Sequence, residues 1–131
     1  MFLDTSGLMC LFDLRDRRHA TAVSLYDSAE ATLTHNYILA EFVALSIARQ
    51  AHTSNALHFV RAIQTSGEVE VVWVEPDLHD RAMDLLMSRH DKSWSLCDAI
   101  SFLVLRKHNQ QEALTTDHHF EQAGLTRLLD R

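Results

Sequence analysis

Two segments of this 131-residue chain carry apolar side chains on nearly every side of a helical wheel. Asn36 to Arg49 contains Ile38, Leu39, Phe42, Val43, Ala44, Leu45, Ile47 and Ala48, and Leu96 to His108 contains Ala99, Ile100, Phe102, Leu103, Val104 and Leu105. A helix with no polar stripe has to be covered by other elements. What the chain offers as cover is a set of short strand-like segments: Phe2 and Leu3, Ala31 to His35, Glu68 to Glu75 with its valines and Trp73, and Ala113 to Thr116. Between them lie further helical patterns at residues 7 to 13, Arg18 to Ala29, Thr53 to Ser66, Asp77 to Ser88 and His118 to Ala123, and Leu125 to Leu129 reads as a last edge strand or tail. With only 3 Gly and 1 Pro, a loop-rich or all-β chain is disfavoured. No linker, repeat or low-complexity tract divides residues 1–131, so one domain is expected.

Several function classes fall away on composition. Cys10 and Cys97 are far apart and form no CxxC, so neither a disulfide framework nor a zinc ribbon is indicated. No charged-then-apolar leader opens the sequence and no 18-residue apolar run occurs, which points to a cytoplasmic protein with no membrane span. The net charge of −6 makes the whole chain a poor non-specific ligand for nucleic acid. An enzyme acting on nucleic acid with this balance needs metal ions at its site and local basic clusters. The available clusters are Arg15, Arg17 and Arg18; Arg89 with Lys92; and Arg106 with Lys107.

Four acids stand at positions where strands end or buried helices run. Asp4 follows Phe2 and Leu3, with Thr5 or Ser6 able to cap the next helix; Asp117 follows Ala113 to Thr116 and can cap its own. Asp98 is the fourth residue of Ser95-x-x-Asp98, a capping-box pattern that by itself accounts for an acid there. Glu41 interrupts the apolar segment Asn36 to Arg49 and is expected to be a buried carboxylate needing a partner. In a parallel α/β sheet, strand-end junctions face the crevice where ligands bind. Four carboxylates meeting there would repel unless divalent cations were present, and all-oxygen ligation suits Mg2+ or Mn2+. Of the 9 histidines, His35 at a strand end and His119 just after Asp117 are the ones placed to touch substrate, while the adjacent His118 and His119 are expected to point apart.

Phe2-Leu-Asp-Thr-Ser6, Leu39-Ala-Glu41, Ser95-Leu-Cys-Asp98-Ala-Ile and Ala113-Leu-Thr-Thr-Asp117 with His119-Phe120 together resemble the four acidic motifs of PIN-domain nucleases, in order and with similar spacing. More narrowly, the chain is similar to the VapC-type toxins of toxin–antitoxin pairs. The resemblance implies a three-layer α/β/α fold around a parallel sheet, Mg2+- or Mn2+-dependent endoribonuclease activity, a homodimer, and a cognate antitoxin protein. It implies Asp4, Glu41, Asp98 and Asp117 as the catalytic, metal-holding acids, with Thr5, Ser6 and Thr115 supporting them. Arg15, Arg17, Arg18, His35 and His119 are the expected contacts to an RNA substrate. One departure is Gly7, where alanine or another small apolar residue is more usual. A phospho-receiver domain wants a second acid beside the first and a dehalogenase-type phosphatase wants an Asp two residues on, whereas Thr5 and Ser6 occupy those places. The alternatives that keep all four acids are a free-standing RNA-processing nuclease and a catalytically inactive binding module of the same fold.

Overall fold

The computed structural model describes residues 1–131. Its centre is a five-stranded, all-parallel sheet in the order β3-β2-β1-β4-β5, formed by β1 (Phe2–Leu3), β2 (Thr32–His35), β3 (Val69–Val72), β4 (Glu112–Leu114) and β5 (Thr126–Arg127). Phe2 lies opposite Leu33 on one side and Ala113 on the other, so the middle strand has only two residues. The strands can be this short because both faces are covered: Phe2, Leu3, Ala113 and Leu114 are all fully buried. Seven helices do the covering: α1 (Thr5–Phe12), α2 (His19–Ser28), α3 (Asn36–Ala48), α4 (Thr53–Thr65), α5 (Pro76–Ser88), α6 (Leu96–Lys107) and α7 (His119–Gln122). Among these, α1 to α4 pack on one another, and α6 packs on both α5 and α7.

The direction of progression reverses at β1, since the chain steps one way to β2 and β3 and the other way to β4 and β5. In an open parallel sheet this switch point opens a crevice beyond the carboxyl ends of the two strands that flank it, here β1 and β4. Asp4 directly follows β1, and Asp117 lies three residues beyond the end of β4. The topology therefore places both acids at one crevice.

Three local details differ from the sequence reading. Helix α1 starts at Thr5, so Asp4 itself takes the N-cap position in extended conformation and its side chain makes no capping bond. That carboxylate is left available for other partners. His35, expected at its strand end to touch substrate, instead caps α3, its Nδ1 accepting from the Ile38 amide at 3.2 Å. Asn36 accepts from the Val74 amide at 2.7 Å and ties α3 to the segment after β3. The largest difference concerns α3, which is buried only along Ile38, Leu39, Phe42 and Ser46. Ala40, Glu41, Ala44, Ile47 and Ala48 are exposed, so Glu41 is not the buried carboxylate expected from the helical wheel. The wheel shows where apolar residues are, and one chain supplies partners for only half of them.

Gly7 has a structural reason. A methyl group there would overlap the Leu114 carbonyl oxygen and lie 2.8 Å from its carbon and 3.1 Å from Leu114 Cγ. Helix α1 thus crosses β4 at backbone contact, which holds the Asp4–Ser6 turn against the end of that strand.

Candidate active site

Asp4 is buried, at 6% exposure, and sits at the centre of a hydroxyl cluster. Its Oδ2 accepts from Thr115 Oγ1 at 2.7 Å and from Ser6 Oγ at 3.1 Å, and the two hydroxyl oxygens are 3.0 Å apart. Both hydroxyls are themselves fixed by main chain, because the Thr116 amide donates to Ser6 Oγ at 2.9 Å and the Asp117 amide to Thr115 Oγ1 at 3.0 Å. The first and last acidic segments are therefore bonded into one unit. Burial pushes the Asp4 carboxyl up to about 6, against the opposing effect of the Thr115, Thr5 and Ser6 hydrogen bonds, and the charge of Asp98 adds to the rise. Thr5 lies beside it with its own hydroxyl buried and unpartnered.

Asp98 enters from α6. The capping box expected from Ser95-x-x-Asp98 is present in full, with the Asp98 amide donating to Ser95 Oγ at 3.0 Å and the Ser95 amide donating to Asp98 Oδ2 at 2.8 Å. The cap fixes the carboxylate without neutralising it. Burial raises its pKa above the ordinary carboxylate value, the Ser95 amide opposes that, and the negative charge of Asp117 raises it further. Glu41 stands exposed on α3 and meets the site through Cys97. Burial pushes that thiol up, and the charges of Glu41, Asp4 and Asp98, together with a hydrogen bond to Glu41, push it the same way. The sequence reading weighs Cys97 only as a disulfide or zinc-ribbon cysteine; its place immediately before Asp98 was the available signal.

Asp117 accepts from the His119 amide at 2.9 Å, closing the turn into α7. The His119 ring returns toward the acids, with Nδ1 3.2 Å from Asp117 Oδ1 and 3.6 Å from Asp98 Oδ2. His118 Nδ1 is 3.6 Å from Asp117 Oδ1, and the two imidazoles lie 4.4 Å apart at 40°. They converge where the sequence reading had them pointing apart, because both rings turn toward Asp117.

The remaining expectations divide. His35 is corrected: it is fully buried, bonded between the Ile38 amide and Ser101 Oγ at 2.8 Å, and cannot reach a substrate. It is a strut between α3 and α6, the helices that carry Glu41 and Asp98. Arg15 pairs with Asp13 at 3.0 Å and Arg18 with Asp16 at 3.1 Å, while Arg17 bonds the carbonyl of Arg131. No lysine or arginine forms an ion pair with Asp4, Glu41, Asp98 or Asp117. Carboxylates held close, partly desolvated and without a basic partner form a donor set that fits a hard divalent cation.

A sheet that switches at β1 and β4 and gathers strand-end acids in that crevice defines a class, and comparison with known proteins agrees with it. The chain belongs to the PIN-domain family, whose model matches residues 1–125. Within that family it is similar to the 23S rRNA-specific endonuclease VapC20 of Mycobacterium tuberculosis, in strains CDC 1551 / Oshkosh and ATCC 25618 / H37Rv alike, at 35% identity over 95% of this chain and 94% of the relative. The crystal structure of VapC20, described as a sarcin–ricin-loop-cleaving toxin, superposes with a TM-score of 0.86 at 33% identity and covers 95% of both chains. The parallel α/β fold expected from the resemblance is therefore the fold of the family.

Proposed function

We propose that this single domain is a Mg2+- or Mn2+-dependent endoribonuclease and the toxin of a toxin–antitoxin pair, with the sarcin–ricin loop of 23S rRNA as its substrate. The observation that carries the nuclease reading is the Asp4 carboxylate, buried, clamped by Ser6 and Thr115, and surrounded by further acids with no basic partner. Similarity to VapC20 supports the substrate.

Asp4, Asp98 and Asp117, with Glu41 at the mouth, are the residues that would hold the ion. Bound there, it would supply charge compensation for a phosphodiester and Lewis acidity toward its oxygens. The protein does the rest by positioning. Thr115 and Ser6 fix which Asp4 oxygen faces the crevice, and the Ser95 cap fixes Asp98. Ser6 is committed to Asp4 and Thr116, Thr115 to Asp4 and the Asp117 amide, the Thr5 hydroxyl is buried away from solvent with no base bonded to it, and the Cys97 thiol is held protonated by burial and neighbouring charge. The attacking group is then water, and the reaction is hydrolysis. Of the expected substrate contacts, Arg15, with a side chain 90% exposed, and Arg17 are the phosphate anchors we propose, and His119 borders the scissile group.

The same reading includes a homodimer and an antitoxin in the cytoplasm. No helix is long and apolar enough to cross a membrane. The exposed Ala40, Ala44, Ile47 and Ala48 face of α3 supports dimerisation, and the uncompensated acids suit an antitoxin arginine. Expression with and without the neighbouring small reading frame tests the toxin role: growth arrest relieved by that frame supports it, and absence of such a neighbour favours the free-standing RNA-processing nuclease. An inactive binding module is favoured only if purified protein with Mg2+ or Mn2+ leaves a sarcin–ricin-loop RNA intact.

A further inference from the structure

One corner of the crevice contains nitrogen as well as oxygen. Donor atoms of Asp117, His118 and His119 all lie within 4.8 Å of one another, and His119 Nδ1 is also 3.6 Å from Asp98 Oδ2. The other nitrogen of that ring, Nε2, is 3.2 Å from Ser93 Oγ. Nδ1 also lies 3.3 Å from Asp117 Oδ2, so a proton on Nδ1 is donated to that carboxylate in the metal-free chain, whereas a proton on Nε2 is donated to Ser93 and leaves the Nδ1 lone pair facing carboxylate oxygens of two residues. The second tautomer is the one a cation among these atoms selects. A ring whose outer nitrogen is hydrogen-bonded while the inner one faces carboxylates has the orientation that ligating histidines adopt.

We infer that Asp98, Asp117, His119 and His118 form a mixed oxygen–nitrogen cation subsite that selects Mn2+, Co2+ or Zn2+ over Mg2+. Imidazole nitrogen suits borderline transition ions, whose affinity rises along the series from Mn2+ toward Zn2+, whereas Mg2+ keeps to oxygen and water. Asp4, bonded to the Ser6 and Thr115 hydroxyls, belongs to the all-oxygen part of the crevice. The inference rests on the proposed metal-dependent site and adds the chemical class of ion that the chain prefers at one end of it.

The test uses the full-length protein and the metals alone. Pulsed EPR of the Mn2+-loaded protein should show 14N coupling from imidazole, and Co2+ should give a visible spectrum altered by nitrogen ligation. In the double variant His118→Gln, His119→Gln the 14N coupling should disappear and the Mn2+ Kd rise by about tenfold or more, with the Mg2+ Kd changing several-fold less. The single variant Ser93→Ala, which frees the ring, should weaken Mn2+ binding in the same direction. Mn2+ bound tightly by the wild type without nitrogen coupling would overturn the subsite while leaving the acid site intact. No binding of either Mn2+ or Mg2+ would overturn both.

Discussion

Gly7→Ala is a substitution that helix propensity alone recommends and the tertiary structure forbids. In an isolated helix it would stabilise by about 1 kcal/mol, because alanine loses less backbone entropy. Here the new methyl would overlap the Leu114 carbonyl oxygen and lie 2.8 Å from its carbon, and the obstacle is backbone, so no rotamer change relieves it. Either α1 lifts from β4 or β4 moves, and overpacking of this kind costs roughly 1–3 kcal/mol or more. We expect a net loss of about 2 kcal/mol, seen in urea denaturation as a lower midpoint with an unchanged slope and in calorimetry as a fall in Tm of roughly 5–10 °C. Cleavage should suffer as well, since the same contact brings Ser6 and Thr115 together around Asp4. A Gly7→Ala protein as stable as the wild type, or more stable, would refute the backbone contact between α1 and β4.

Burial holds His35 at about 3, below its ordinary 6.5. The unfolded chain therefore binds a proton that the folded chain refuses, and stability present at neutral pH is lost as pH falls from 6.5 toward 3, by at most about 1.4 kcal/mol per pH unit. His35→Gln should flatten that acid limb, and an unchanged slope between pH 6 and 4 would contradict the buried strut. Asp4 has the opposite sign: its carboxyl is raised to about 6, so the stability it contributes is present at low pH and lost as pH rises through 6. Asp4→Asn should therefore abolish cleavage yet raise the Tm of metal-free protein at pH 7.5, by at most about 3 kcal/mol of stability less the weakened hydroxyl bonds; a lower Tm would argue against charge strain at this site. Thr115→Val removes the 2.7 Å bond to Asp4 and the acceptor for the Asp117 amide. Divalent-ion affinity and kcat should both fall at least about tenfold, and titration calorimetry showing wild-type affinity would sink the clamp.

Much of this site was legible in the sequence because its acids coincide with strong local signals. Asp4 and Asp117 follow short apolar strands, and Asp98 completes a capping box, so each could be placed without knowing the fold. What sequence could not supply is which surfaces the chain covers for itself. Glu41 looked buried because α3 is apolar all round, yet the structure covers only the Ile38–Phe42–Ser46 side. The histidines misled for a related reason. His35 looked available at a strand end but was consumed as a helix cap, and His118 and His119 converge because both rings turn toward Asp117. Gly7 looked like a departure from its family and proved to be a packing requirement. Cys97 was overlooked since a lone thiol beside an acid has no periodicity to mark it.

The central claim is that the acids around Asp4 cleave RNA with a divalent ion. The most direct measurement is incubation of an end-labelled sarcin–ricin-loop RNA with purified wild-type, Asp4→Asn and Asp98→Asn proteins, each with Mg2+, with Mn2+ and with chelator. The account predicts a discrete metal-dependent cut by the wild type alone, with both variants folded and inactive. Cleavage by either variant at the wild-type rate, or by the wild type in chelator, would contradict it.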